Sequence, residues 1–222
     1  MWVRVNAPGS AQLRDDLAAV LPAKPDGLVL PKVSSPRELG KVTPHTSLPL
    51  LIITTETPQA VLTLAQWDLA PWGNRVAGLT WGMEDLSAAL GASGKTEADG
   101  SLTFTFALAR SLCLLAAAAA GAQAVDGIHA DFRDSEGLAR EATAARRDGF
   151  SGKLAIHPDQ VPVIHSAFTP SEAEAARARR IVDAFAAHGG AGVVGFEGQM
   201  LDRPHLLAAE RVLRLAALES QR

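Results

Sequence analysis

The chain has 222 residues, 47% of them apolar and 20% charged, with a formal net charge of −3. That composition supports a buried core and excludes a disordered or fibrous chain. The slightly acidic balance, with no basic stretch interleaved with aromatics, gives no electrostatic reason to expect nucleic acid or an anionic membrane as a partner. Met1 leads directly into strand-like Trp2-Val3-Arg4-Val5 without the pattern of a leader peptide, so a cytoplasmic location is expected.

In chain order, short β-branched or leucine-rich runs predict strands at Val3–Val5, Gly27–Pro31, Leu50–Thr54, Val76–Thr80, Gly127–His129 and Leu154–His157. Helical patterns fall between them, at 10–21, 35–41, 58–70, 85–91, 104–121 and 135–148. The run from Phe106 into the alanines is too short for a bilayer span and carries Arg110, so it reads as a helix buried against a sheet. The single cysteine, Cys113, lies in that helix as a small hydrophobe; one cysteine allows neither an intramolecular disulfide nor a cysteine metal cluster. Alternation of this kind predicts an α/β fold of parallel strands with right-handed helical crossovers.

The predicted strands end in polar residues: Asn6, Lys32, Glu56, Glu84 with Asp85, Asp131 with Asp134, and His157. In a (β/α) barrel such ends share one mouth, where catalytic groups are drawn from several strands. From Thr169 the texture changes. Thr169-Pro170-Ser171-Glu172 opens a helix to about His188, Gly189–Gly192 breaks it, Val193–Phe196 forms a short strand, and Asp202-Arg203-Pro204 opens a last helix. The expected organisation is a barrel core over 1–168 and a C-terminal helical extension over 169–222.

Glu56 closes the run from Leu48, and Asp85 closes the run from Val76. If these are neighbouring parallel strands, both carboxylates sit at one end of the sheet, as a hard divalent cation requires. Magnesium takes six oxygens at about 2.0–2.1 Å and retains waters, so two carboxylates plus the oxygens of an oxo-acid complete a shell. Each acid also has a plain structural reading, as a first-turn acid favoured by the helix dipole, with Thr57-Pro58 as cap and first-turn pair. His45, His129, His157 and His165 lack the close spacing of a zinc site. Arg4 is a charge in mid-strand; either it is paired or exposed at an edge, or its planar fork grips a carboxylate or oxyanion. Lys32 has the same two readings, as a substrate contact or a solvated surface lysine. Asp202 reads either as the cap of the terminal helix or as a general acid or base. His157 reads as a structural histidine at the barrel mouth, and Trp67, Trp72, Met83 and Met200 as packing residues.

Ten segments in order resemble the citrate lyase beta subunit family, the coenzyme A ester lyases of the wider HpcH/HpaI aldolase group. They are Val3-Arg4-Val5-Asn6, Leu30-Pro31-Lys32-Val33, Glu56-Thr57, Gly82-Met83-Glu84-Asp85-Leu86, Asp126-Gly127-Ile128, Asp134-Ser135-Glu136-Gly137-Leu138, Gly149-Phe150-Ser151-Gly152-Lys153, Ile156-His157-Pro158-Asp159-Gln160, Phe168-Thr169-Pro170 and Gly198-Gln199-Met200-Leu201-Asp202. The resemblance implies a (β/α) TIM-barrel-like fold and a Mg²⁺-dependent carbon-carbon lyase acting on a malyl-, citramalyl- or citryl-type thioester. It further implies that Arg4 contacts substrate, that Glu56 and Asp85 bind the magnesium, and that Asp202 lies in a segment reaching a neighbouring subunit's site. Acyl-coenzyme A and oxo-acid ligands and a homo-oligomer, trimeric or larger, follow as expectations.

The chain departs from the family pattern at its front. Neither an Arg-Ser-Leu-aromatic-Val-Pro strand nor an Asp-Leu-Glu-Asp strand is present, so about two strand-helix units, or roughly 60 residues, are missing relative to a closed eight-stranded barrel. Either an open, six-stranded barrel whose gap another element covers, or a protein whose first two units are encoded upstream of Met1, is expected. Two other readings stand beside the lyase: a catalytically impaired barrel that serves as a binding or assembly protein, and a metal aldolase acting on free pyruvate-type substrates.

Overall fold

The computed structural model describes residues 1–189 and 192–219. The chain divides into two compact units, Met1–Ile164 and the segment from His165 onward.

The first unit is built on six parallel strands hydrogen-bonded in chain order: β1 (Trp2–Arg4), β2 (Gly27–Leu30), β3 (Leu50–Ile53), β4 (Val76–Thr80), β5 (Gln123–Asp126) and β6 (Gly152–Lys153). The sheet curls into a half-barrel, as the alternation of strands and helices requires. Its helices are α1 (Leu13–Val20), α2 (Pro58–Thr63), α3 (Met83–Leu90), α4 (Phe104–Ala119), α5 (Ser135–Asp148) and α6 (Gln160–Phe168), with the boundary between the units falling within α6.

Strand register sorts the side chains. Leu28 pairs with Leu50, Leu30 with Ile52, Ile52 with Leu79 and Leu79 with Ala124, all on one face. These residues are buried. Asp126 shares that face with Ala124, and Arg110 of α4 reaches it, so this is the side the helices cover. The opposite face carries Arg4, Val29, Leu51, Gly78 and Gln123, of which Arg4 and Gln123 are exposed. One face therefore makes the core, and the other is exposed at Arg4 and Gln123 but buried at Gly78, Ile53 and Thr80.

Local chemistry sets the helix ends. The Thr57 hydroxyl accepts the Ala60 N–H at 3.2 Å with Pro58 in the first turn, the Asp134 carboxylate accepts the Gly137 N–H at 2.8 Å, and α5 stops at Gly149 with φ +116°. The predicted helix at 35–41 is a 3₁₀ segment, Pro36–Lys41, and the one at 58–70 divides into α2 and a 3₁₀ turn at Leu64–Gln66. The strands expected at Gly127–His129 and Leu154–His157 lie earlier, as β5 and β6. Pairing of Val125 with Gly152 and of Asp126 with Lys153 makes both charged residues part of the ladder, ahead of the predicted strands. Helix α6 was not anticipated, because Pro162 interrupts its pattern; the proline lies in the first turn, where its missing N–H costs nothing.

In the second unit, α7 (Glu172–Ala187) begins with a reciprocal capping box between Ser171 and Glu174. The predicted break at Gly189–Gly192 includes Gly190 and Ala191, which lie outside the described residues. Beyond it, β7 (Val193–Phe196) and β8 (Gln199–Asp202) form an antiparallel hairpin, followed by α8 (Arg203–Glu219). The hairpin turns on Glu197 and Gly198, with φ +49° and +76°, the mirror-image turn that matches strand twist. Arg180 donates to the Glu197 carboxylate at 2.8 Å, helping to hold a non-glycine in that conformation. Ala178, Ile181, Phe185, Val194, Leu201 and Ala209 form this unit's core. Met200, expected to pack, is exposed at 77%, because it alternates with buried Leu201 across the hairpin. No helix among the described residues is long and apolar enough to cross a membrane.

Candidate active site at the strand ends

Arg4, Lys32, Glu56 and Asp85 come from β1 and from the carboxyl ends of β2, β3 and β4, which are consecutive neighbours in the sheet. The Thr54 N–H donates to the Thr80 carbonyl at 2.8 Å, extending the β3–β4 ladder one residue past β3 and carrying Glu56 to the strand end. Glu56 is 5% exposed, a low value for a carboxylate. Its Oε2 accepts the Lys32 backbone N–H at 2.6 Å. Lys32 holds this position with φ +54°, a left-handed backbone that a residue with a Cβ rarely adopts. Its ammonium Nζ lies 3.0 Å from Oδ1 of Asp85, in the first turn of α3.

Burial pushes the Glu56 carboxyl above its ordinary range, opposed by the Lys32 N–H; the Asp85 charge raises it further, and Arg4 and Lys32 act in the other direction. Two carboxylates thus repel one another beside two cationic side chains. Among the described residues no group of three or more His, Cys, Asp or Glu forms a metal cage. The donor set is two hard carboxylate oxygens, which fits a magnesium ion that completes its octahedron with water and ligand oxygens. The Thr55 and Thr80 hydroxyls, at the ends of the same strands, are buried without a hydrogen-bond partner among the described residues.

Sequence reasoning brought these four residues together but missed what holds Glu56 in place. A Cβ on Gly82 would stand 2.8 Å from both Cγ and Oε1 of Glu56. Gly82 has an ordinary extended φ of −138°, so close approach rather than backbone freedom demands glycine there. Gly82→Ala is expected to displace the Glu56 carboxylate and weaken magnesium binding about tenfold while the fold survives. An unchanged magnesium titration would show that the side chain has room to shift without consequence.

Asp202 belongs to the second unit, at the end of β8, where its Oδ1 lies 2.5 Å from Nδ1 of His205 and both side chains are about half exposed. The expectation of a helix-capping aspartate and that of an acid–base residue both remain compatible with this pair. Elsewhere in the first unit, Phe132 stacks on His157 with ring centroids 4.7 Å apart.

A second charged cluster was absent from the sequence reading. Asp126 is buried beneath α4 and accepts from Trp81 Nε1 at 2.7 Å, Arg110 Nε at 2.9 Å and Lys153 Nζ at 3.3 Å. Arg110 also donates to Asp148 at 2.8 Å, and Lys153 pairs with Glu141 at 3.2 Å. Burial opposes ionisation of Asp126, but Lys153 and Arg110 outweigh it and hold the carboxyl below its ordinary range. The clue in the sequence was a lone arginine in an apolar helix, which must find a buried partner. Cys113 is fully buried in the same layer, and burial pushes its thiol up to about 12, leaving it a hydrophobe at neutral pH.

Parallel strands curled into a half-barrel, with acidic and basic side chains gathered at the strand ends, are the architecture of a (β/α)-barrel enzyme. A model of carbon-carbon bond lyases of the TIM-barrel fold matches residues 105–219. The chain belongs to the HpcH/HpaI aldolase/citrate lyase family, whose model matches residues 1–158. Members of this family act as carbon-carbon lyases.

The chain is 38% identical over 214 residues to the citrate lyase subunit beta-like protein of Mycobacterium tuberculosis, an alignment covering 96% of this chain and 75% of that one. It is 32% identical over 234 residues to the mitochondrial citramalyl-CoA lyase of Rattus norvegicus, covering 96% and 68% respectively. Among solved structures, that of M. tuberculosis CitE in complex with magnesium, acetoacetate and coenzyme A superposes with a TM-score of 0.81 at 36% identity, over 97% of this chain and 78% of that one.

Proposed function

We propose that this protein is a Mg²⁺-dependent lyase that cleaves or forms a 3-hydroxyacyl-coenzyme A of the malyl, citramalyl or citryl type. The observation that carries this reading is the convergence of Glu56 and Asp85, with Lys32 between them and Arg4 close enough to bias Glu56. It is supported by relatives named for citramalyl-CoA and by a structural neighbour holding magnesium, acetoacetate and coenzyme A.

Cleavage breaks the carbon–carbon bond beside the hydroxyl. The hydroxyl loses its proton and becomes a carbonyl, the bonding pair passes into the thioester fragment as an enolate, and that carbon then takes up a proton. Glu56 and Asp85 supply the carboxylate oxygens for the metal. Bound there, magnesium supplies Lewis-acid stabilisation of charge on the oxo-acid oxygens. The Arg4 guanidinium offsets negative charge on an oxygen of the reacting group, a preorganised contact worth on the order of a few kcal/mol. Asp202 is assigned the proton transfer, acting in a homo-oligomer of three or more chains, with the second unit as the segment that presents it. Lys32 is assigned to the binding of the substrate's anionic end.

Thermal unfolding in the presence of pyruvate, glyoxylate or acetyl-coenzyme A, each with and without magnesium, tests this reading. A ligand that binds only the native state raises the melting temperature. Acetyl-coenzyme A and one oxo-acid are each expected to raise it, with the oxo-acid shift dependent on magnesium. Stabilisation by pyruvate alone, with no response to acetyl-coenzyme A, would favour an aldolase acting on free oxo-acids.

A further inference from the structure

We propose that the Lys32 ammonium is a tethered counter-cation of the Glu56–Asp85 pair: it occupies Asp85 when no divalent ion is bound and is displaced when one enters. This inference rests on the reading of Glu56 and Asp85 as the magnesium ligands.

A single residue engages both acids, through different atoms. The Lys32 backbone N–H is bound to Oε2 of Glu56 at 2.6 Å, and its Nζ lies 3.0 Å from Oδ1 of Asp85. The backbone contact is fixed, because Val33 N–H donates to the Ile53 carbonyl at 3.2 Å on the other side and Lys32 is held at φ +54°. The ammonium is not fixed. It ends a four-carbon stem with free rotors, so it can leave Asp85 without disturbing the N–H on Glu56.

The buried lysine–carboxylate pair of Lys153 and Asp126 is built differently. Lys153 and Asp126 have side chains 3% and 4% exposed, whereas those of Lys32 and Asp85 are 49% and 41% exposed. An ion pair that open to water is weak and readily exchanged. It still serves a purpose in the metal-free protein, where two carboxylates raise each other's cost of ionisation and a nearby positive charge relieves it. A divalent cation at the same place outcompetes a single ammonium electrostatically, and the released lysine remains within reach of an anionic group on the incoming ligand. The apparent magnesium affinity is therefore lower than the two carboxylates alone would give.

Isothermal titration of magnesium chloride into the full chain tests this, with wild type, Lys32→Met, Lys32→Arg and Glu56→Gln compared, and thermal unfolding confirming that each is folded. Methionine retains the backbone N–H and the stem but removes the charge. Lys32→Met is expected to bind magnesium about three- to tenfold more tightly than wild type, and Lys32→Arg to return to about the wild-type value. In the metal-free state Lys32→Met is also expected to melt lower than wild type, a difference that closes as magnesium is added. Equal or weaker binding by Lys32→Met, with binding still lost in Glu56→Gln, would overturn this inference and leave the metal assignment standing. Magnesium binding that persists unchanged in Glu56→Gln would overturn both.

Discussion

Glu56→Gln is expected to lower magnesium-dependent lyase turnover by at least about a hundredfold, the scale of losing a charged ligand from a catalytic metal site. Glutamine has nearly the same shape, and its carbonyl oxygen can still accept the Lys32 N–H that Glu56 accepts at 2.6 Å, so the strand end stays in place. On the proposed assignment of Glu56 and Asp85 as ligands, what disappears is half of the carboxylate charge offered to the metal. Burial and the Asp85 charge make ionised Glu56 costly in the metal-free protein. The sign follows directly: a carboxyl raised in the folded state gives up stability as pH rises from the unfolded value through the folded one. Removing it should leave the metal-free variant as stable as wild type at neutral pH or more so, while abolishing the magnesium-induced rise in melting temperature. Steady-state kinetics with added magnesium and a melting curve measure the two effects separately. Retained turnover with a full magnesium response would remove Glu56 from the site.

Breaking the buried network at Asp126 is expected to have the largest effect on stability. Lys153→Met leaves Asp126 with Arg110 alone, and Asp126→Asn leaves Arg110 and Lys153 only their outer partners Asp148 and Glu141, so each breaks the buried network under α4 and should cost about 3–5 kcal/mol in urea unfolding. Replacing Asp126 by Leu and Lys153 by Met together should cost less than either single change, because no orphaned charge remains on that pair. The acid limb carries its own signature. Lys153 and Arg110 hold the Asp126 carboxyl low against the opposing effect of burial, so its contribution is present above the unfolded value of about 3.9 and is lost as pH falls through the folded one. Wild-type stability should therefore fall below about pH 4 more steeply than that of Asp126→Asn. A loss under about 1 kcal/mol at neutral pH would mean that the cluster is solvated and contributes little.

The two charged clusters differ in how visible they were before folding. Glu56 and Asp85 end apolar runs, and a parallel sheet necessarily gathers its carboxyl strand ends, so periodicity alone could bring them together. Asp126 closes β5, one residue past Val125, whereas the predicted strand began only after it, because an acid in a buried ladder is costly without partners. Its partners Trp81 and Arg110 are 45 and 16 residues away in the chain, a proximity no local pattern encodes. The same misreading displaced β5 toward Gly127–His129. The β7–β8 hairpin turned on Glu197-Gly198 rather than on a more familiar asparagine–glycine pair, and β8 went unread.

By itself the sequence determined the parallel α/β architecture, the order of its strands and the acids and bases at their ends, because apolar period, capping residues and turn formers act over a few neighbouring positions. Only the tertiary structure decided that Lys32 bridges both acids, that Gly82 leaves room for Glu56, and that Arg110 and Lys153 neutralise Asp126. Those contacts join residues 16 to 45 positions apart for the bonds to Asp126 and 24 apart for Lys32 and Glu56. Their energy depends on how much water the fold removes around each charge, a quantity that exists only once the sheet and helices have closed over it.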